Sequence, residues 1–300
     1  MAGNLLFAVD FSPYTEKLIG CAGELAQFGL RDITLLNVVP SKETALAGER
    51  PIPAVEAEME EAEKKVDALV GIMEEAGLKP KKMVKAGDPT QVILDVAKQE
   101  DVDIIFMGAH GQGFLKRAAL GSISESVLKL ADRPVMIQKC RVIKGKGRGK
   151  GNYECENACK SLFGNILVAN DFSKYTDRAN PLLIDLARTL CTPITLLHVE
   201  EGKEDGGWQI VDKAKKADVK TKMEAVQERS YQLGEVCKSL KIDIVNGSAP
   251  SAILAYANEI NASLIILGGF GFRGVTSDPP GEVTEKVLHK SERPVLILKG

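Results

Sequence analysis

The chain has 300 residues, 44% of them hydrophobic and 27% charged, with a net charge of −2 and six cysteines. That balance fits a globular protein of about two ordinary domains. It excludes a disordered or fibrous chain and a disulfide scaffold, and without a strong basic excess neither nucleic acid nor an anionic membrane is an expected partner.

No apolar run reaches the roughly 20 residues that cross a bilayer. The start, Met1-Ala2-Gly3-Asn4, lacks the basic region and cleavage site of a signal peptide, so a cytoplasmic protein is expected. Residues 4–10 form a short apolar run that predicts a buried strand. Ser12 to Phe28 carries Leu18, Ile19, Ala22, Leu25 and Ala26 at helical spacing, and 33–39 is a second apolar strand. Residues 54–76 place Val55, Met59, Ala62, Val66, Leu69 and Met73 on one face of a long amphipathic helix, whose acidic residues at 56–61 read as a solvated face. A strand at 81–85, a helix at 90–99, a strand at 103–108, a helix at 122–130 and a strand at 135–139 follow. Such alternation predicts a parallel sheet with helices on both faces. The continuous apolar strands agree, because central parallel strands are buried on both sides. Sheets of this kind bind ligands beyond the carboxyl ends of their strands, near the point where strand order reverses. Here that rule selects Asp10, Val38 and the residues after Met107.

The pattern occurs twice. Leu6-Phe7-Ala8-Val9-Asp10-Phe11-Ser12 returns as Leu167-Val168-Ala169-Asn170-Asp171-Phe172-Ser173, and Ile33-Thr34-Leu35-Leu36 as Ile194-Thr195-Leu196-Leu197, both at an offset of 161. Arg133-Pro134-Val135 returns as Arg293-Pro294-Val295 at an offset of 160. Three blocks in the same order indicate a duplicated domain. Between the copies, Lys144 to Gly151 alternates basic residues with glycine, a composition that buries no core and is flexible. The expected division is a first domain at 1–140, a linker at 141–160 and a second domain at 161–300.

After the fourth strand the chain reads Gly108-Ala109-His110-Gly111, nine residues, then Gly121-Ser122-Ile123-Ser124 and a helix. Glycines allow tight turns and close approach to a ligand. Backbone N–H groups in such a loop can cradle an anion, and the helix that opens at Ser122 adds free N–H groups and a favourable dipole. Ser122 and Ser124 offer hydroxyl donors. A second reading stays open, in which Ser122 or Ser124 is an N-cap and the glycines are turn residues. The spacing matches neither the Walker loop nor the dinucleotide fingerprint.

This loop resembles the ATP-binding motif of the universal stress protein family. Val9-Asp10, Met107 to Gly111, Leu120 to Glu125 and Arg133-Pro134-Val135 carry the resemblance, which extends over both halves. It implies two tandem, doubly wound α/β domains, each a five-stranded parallel sheet of the Rossmann-like, adenine nucleotide alpha-hydrolase-like type. It implies that Asp10 and Val38 lie near the adenine and ribose, and that Gly108, Gly111, Gly121, Ser122 and Ser124 hold the phosphates. Ala8 and Ile123 complete the candidate set. For Asp10 a helix-capping role stays open, and His110 either orients the loop or is a surface histidine. The expected ligand is ATP, ADP or AMP, with Mg2+ accompanying ATP. The implied role is regulatory stress response through an unknown protein partner, with a slow ATPase or phosphate-transfer enzyme, or a scaffold with a vestigial site, as alternatives. No catalytic residues are identified. The resemblance also implies pairing through 135–139 and 295–299, an intramolecular pseudo-dimer, with a further homodimer open.

In the second copy the loop reads Gly268-Gly269-Phe270-Gly271, nine residues, then Gly281-Glu282-Val283-Thr284. The glycines remain, but Glu282 stands where the first copy has Ser122. Two unit charges about 4 Å apart cost about 4 kcal/mol at an effective dielectric of 20, so polyphosphate is disfavoured. Asp278, Pro279 and Pro280 add charge and stiffness, and nothing basic aligns with Lys116 and Arg117. The second copy is expected to bind nucleotide weakly or not at all through Asp171, Val199, Gly268, Gly271 and Gly281. Cys21, Cys191 and Cys237 read as buried thiols. Cys140, Cys155 and Cys159 lack a fourth ligand at metal-site spacing, so no metal is expected.

Overall fold

The computed structural model describes residues 3–12, 15–27, 29–41, 52–109, 120–139, 141–144, 153–156, 161–171, 183–185, 187–188, 192–202, 209–210, 233, 235, 237, 239–268 and 281–299. The chain divides into two compact units, Met1–Lys160 and Ser161–Gly300.

The first unit runs β1 (Asn4–Val9), α1 (Thr15–Gln27), β2 (Asp32–Pro40), α2 (Ile52–Glu75), β3 (Lys81–Gly87), α3 (Pro89–Gln99), β4 (Ile104–Gly108), α4 (Ser122–Leu130) and β5 (Val135–Gln138). Its strands lie in the order β5-β4-β1-β2-β3, all parallel. The chain builds outward from β1 to β3 and then restarts on the other side with β4, so the reversal falls between β1 and β4. Ala8 stands opposite Leu36 of β2 and Met107 of β4, which brings the three carboxyl ends level.

Burial explains these elements. Leu5, Leu6 and Phe7 of β1 and Ile105 and Phe106 of β4 are fully buried, and the Phe7 and Phe106 rings meet with centroids 4.9 Å apart. On α2, Ala62, Val66, Leu69 and Met73 are buried at helical spacing. Gly77, at φ 82, ends that helix by a left-handed turn: its own N–H donates to Glu74 and the Leu78 N–H to Met73. Asp88 caps α3 by accepting the Gln91 N–H at 2.9 Å, with Pro89 in the first turn.

Residues 141–160, read from composition as a linker, contain two short strands. β6 (Arg141–Lys144) pairs antiparallel with β7 (Tyr153–Glu156), Arg141 opposite Glu156. Residues 145–151 of the Lys/Gly alternation lie outside the described residues.

The second unit runs β8 (Ile166–Ala169), β9 (Ile194–Glu201), β10 (Gln209–Ile210), β11 (Leu240–Gly247), α5 (Ala249–Glu259), β12 (Leu264–Gly268), α6 (Glu282–Lys290) and β13 (Val295–Leu298). Strands β11-β9-β8-β12-β13 repeat the parallel arrangement of the first unit. Ala169 again stands opposite Leu197 and Leu267. β10 adds a two-residue antiparallel edge on β11, beyond the expected five strands.

One cluster has no counterpart in the first unit. On β11 the Asp243 carboxylate accepts from the Tyr256 hydroxyl of α5 and from Lys241 Nζ at 2.6 Å. Lys241 Nζ also lies 3.2 Å from the Tyr256 hydroxyl. Tyr256 is 1% exposed and Asp243 5%. Burial, and then the bond to Asp243, push the Tyr256 hydroxyl up to about 12. The corresponding residues of the first unit are Lys81, Met83 and Val96.

The cysteines divide. Cys237 is a buried free thiol, but Cys21, fully buried on α1, is disulfide-bonded, which corrects its reading as a thiol. Helical spacing shows that Cys21 faces the core, not what its sulfur meets there. The sulfurs of Cys140, Cys155, Cys159 and Cys191 lie outside the described residues. Among those residues no helix is long and apolar enough to cross a membrane.

Candidate functional site

A cavity of about 520 Å³ opens at the carboxyl ends of β1, β2 and β4 in the first unit. That volume suits a small-molecule ligand. Ala8, Asp10, Val38, Gly108, Gly121, Ser122, Ile123 and Ser124 all line it. His110 and Gly111, and the loop residues Lys116 and Arg117, lie outside the described residues.

The strand ends form the inner wall. Asn37, buried next to Val38, donates from Nδ2 to the Val9 carbonyl at 2.9 Å and ties β2 to β1 where both end. Asp10 follows β1 directly. Its Oδ1 accepts the Ser12 N–H at 3.0 Å and lies 3.4 Å from the Thr15 hydroxyl at the start of α1. Asp10 is thus a turn carboxylate, and it lines the cavity.

The opposite wall is the start of α4. Gly121, at φ −65 and ψ 146, is the N-cap and makes no side-chain cap bond. The open reading in which Ser122 or Ser124 caps the helix is thereby resolved. The intrahelical ladder begins with the Glu125 N–H on the Gly121 carbonyl at 2.9 Å. The first-turn amides of Ser122, Ile123 and Ser124 precede it and have no acceptor within the helix. Ser124 is buried, and its hydroxyl donates to the Gly108 carbonyl at 2.9 Å. Its hydroxyl ties the start of α4 to the end of β4 in this structure. The Gly121 N–H donates to the Ala109 carbonyl at 2.8 Å, closing the neck of the loop, and the Ala109 N–H donates to Gln138 of β5 at 3.0 Å.

α2 supplies residues that sequence reasoning missed. Glu58, Glu61, Ala62 and Lys65 line the cavity, so the acidic stretch is not simply a solvated face. Lys65 Nζ pairs with Glu61 at 2.6 Å and lies 5.6 Å from the centroid of the Phe11 ring. The Lys65 bond holds the Glu61 carboxyl below its usual range. The available signal was the one-turn spacing of Glu58, Glu61 and Lys65, which puts them on one side of the helix. Beyond Gln138, which also lines the cavity, Lys139 is 5% exposed, and burial pushes its amine down to about 8.

The second unit keeps the frame. Gly281, at φ −57 and ψ 152, caps α6 without a side-chain bond. The Thr284 hydroxyl donates to the Gly268 carbonyl at 2.9 Å, as Ser124 does to Gly108. Val199 sits in β9 and an exposed Asp171 follows β8. His198 replaces Asn37, with Nδ1 3.0 Å from the Asn170 carbonyl, a pairing that requires the proton on Nδ1. Glu282 is 78% exposed and pairs with Lys286 at 2.5 Å, one turn along α6. Gly271, Asp278, Pro279 and Pro280 lie outside the described residues.

Comparison with known proteins agrees with this architecture. The family model described as the universal stress protein family matches residues 1–139 and again 162–299. A universal stress protein of Methanocaldococcus jannaschii is 30% identical over 155 residues, 46% of this chain and 96% of that one. A stress response protein of Bacillus subtilis is 29% identical over 160 residues, 45% of this chain and 96% of its own. Among solved structures, a universal stress protein from Archaeoglobus fulgidus superposes with a TM-score of 0.71 at 27% identity, covering 100% of this chain and 99% of that chain. With both halves matched and the strand register repeated between them, the chain belongs to the universal stress protein family and carries two of its domains in tandem.

Proposed function

We infer that the first unit binds an adenine nucleotide, with ATP as the leading ligand, and that the chain is a regulatory stress-response module whose protein partner reads the nucleotide-bound state. One observation carries this reading: the cavity at the strand ends is faced by the unbonded first turn of α4. Amides there attract phosphate through direct hydrogen bonds and the helix dipole. In this arrangement the phosphates lie along Gly108, Gly111, Gly121 and the Ser122 and Ile123 amides. The Ser122 hydroxyl adds a donor at the mouth. Asp10 and Val38 lie near the adenine and ribose.

ATP is expected to raise the melting temperature by mass action, by an amount equivalent to about 2.7 kcal/mol at a hundred times Kd. No shift at millimolar ATP, and no nucleotide in the freshly purified protein, would remove the proposal. Gly121→Asp separates binding from folding. The backbone at Gly121 is one that any residue adopts, and Asp is a strong N-cap that accepts the free first-turn amides. The variant is expected to melt no lower than the parent without ligand, yet to lose the ATP shift because its carboxylate fills the anion site. Retention of the shift would exclude α4 as the phosphate site.

The second unit is proposed to bind nucleotide weakly or not at all, because Glu282 adds a negative charge where Ser122 stands in the first. Glu282→Ser is expected to raise the calorimetric ATP stoichiometry from one towards two. An unchanged stoichiometry counts against this electrostatic explanation.

A further inference from the structure

Resting on the adenine-nucleotide reading of the same cavity, we propose that Phe11 is the residue on which the base stacks, and that Lys65 is the positioning residue that holds its ring. The backbone first sets Phe11 apart. Three non-glycine residues among those described have positive φ: Phe11 at 56, Asp101 at 46 and Asn261 at 49. Asp101 and Asn261 occupy matching positions just past α3 and α5, and Asp and Asn tolerate that conformation. Phe11 is a bulky apolar residue at no helix end, where the same conformation is strained and needs outside support.

The support is present on both sides of it. The Asp10 carboxylate accepts the Ser12 N–H across Phe11, and the Ser12 carbonyl accepts the Thr15 N–H at 2.9 Å. The side chain so fixed lines the cavity and is only partly buried. Lys65 reaches over its ring from α2 and pairs with Glu61 one turn away. A cation over an aromatic face adds a modest attraction that favours this placement of the ring, and an aromatic face lining a cavity can receive a flat ligand group.

Charge decides which end of the nucleotide meets it. The Phe11 side of the cavity carries the Glu61–Lys65 pair, while the opposite wall is the start of α4. The phosphates are drawn to the amides of α4, so the uncharged base is left to the Phe11 wall. Stacking on an aromatic ring favours the larger purine, which gives this wall a part in base selection.

The test is Phe11→Leu, which keeps an apolar side chain and the same backbone requirement but removes the aromatic face. Binding is measured by calorimetry with ATP and CTP as probes, and apo melting is recorded for each protein. Loss of a stacked base is expected to weaken ATP on the order of tenfold to a hundredfold and to narrow the preference for ATP over CTP, while Phe11→Tyr restores both. Parental ATP affinity in Phe11→Leu, or an equal loss for ATP and CTP, overturns the assignment and leaves the nucleotide proposal standing. A parent protein that binds no ATP overturns both.

Discussion

Asp243→Ala is expected to destabilise the second unit by about 3 kcal/mol. The carboxylate is 5% exposed and is the acceptor for the hydroxyl of Tyr256, which is 1% exposed. Without it that hydroxyl loses a buried bond to a charged acceptor, and such bonds are worth about 1.5–3 kcal/mol. The Lys241 pairing adds little, because Lys241 is 59% exposed and water screens it. Tyr256→Phe removes the other half of the bond and is expected to cost about 1.5 kcal/mol. The two effects should not add. The double variant Asp243→Leu with Tyr256→Phe, which restores the apolar character of Met83 and Val96 in the first unit, is expected to recover most of the loss, since apolar replacement of a buried polar pair is often neutral. Urea unfolding of these proteins, with Asp243→Ala/Tyr256→Phe added to close the cycle, checks this. Additive losses would show that the hydroxyl and carboxylate are not energetically coupled.

Lys139 predicts the second large effect, and it is read in pH. Its amine is pushed from an ordinary value of 10.5 down to about 8 by burial. The folded pKa lies below the unfolded one, so between these values the unfolded chain binds more protons and stability rises with pH. A difference of that size corresponds to about 3 kcal/mol. Below pH 8 the parent carries the whole handicap of a buried ammonium, and by pH 10.5 it has shed most of it. Lys139→Met is therefore expected to be more stable than the parent at pH 7, with the gap closing between pH 8 and 10.5. Denaturant unfolding of both proteins across this range isolates Lys139, because other titrating groups are common to the two. A gap that stays constant with pH would mean that the Lys139 amine does not titrate in this window.

The strands and helices of the first unit are legible because each leaves a period. β1, β2 and β4 are apolar runs, and α2 repeats Ala62, Val66, Leu69 and Met73 on one face. Boundaries slip where local bonds decide. The helix expected from Ser12 begins at Thr15, because residues 10–12 are committed to the turn that Asp10 braces. β6 and β7 are hidden by a neighbouring Lys/Gly alternation, and the two residues of β10 are too short for any period. At the site, Gly108, Gly121, Ser122 and Asp10 are readable since a motif names them. Phe11 and Lys65 are not, because their meeting depends on how α2 packs on β2 and β3, far from Phe11 in sequence. The work of Ser124 is hidden for a similar reason: its acceptor, Gly108, lies sixteen residues back across the loop.

Ser124 and Thr284 bind the same carbonyl position in their two units, while the residue two places earlier has diverged from Ser122 to Glu282. The hydroxyl that anchors the helix and the side chain that would greet a ligand are thus separate letters of the sequence, open to separate selection. A duplicated domain built this way can drift at the second letter without jeopardising the first. It can trade ligand recognition for another task while remaining foldable at every intermediate step.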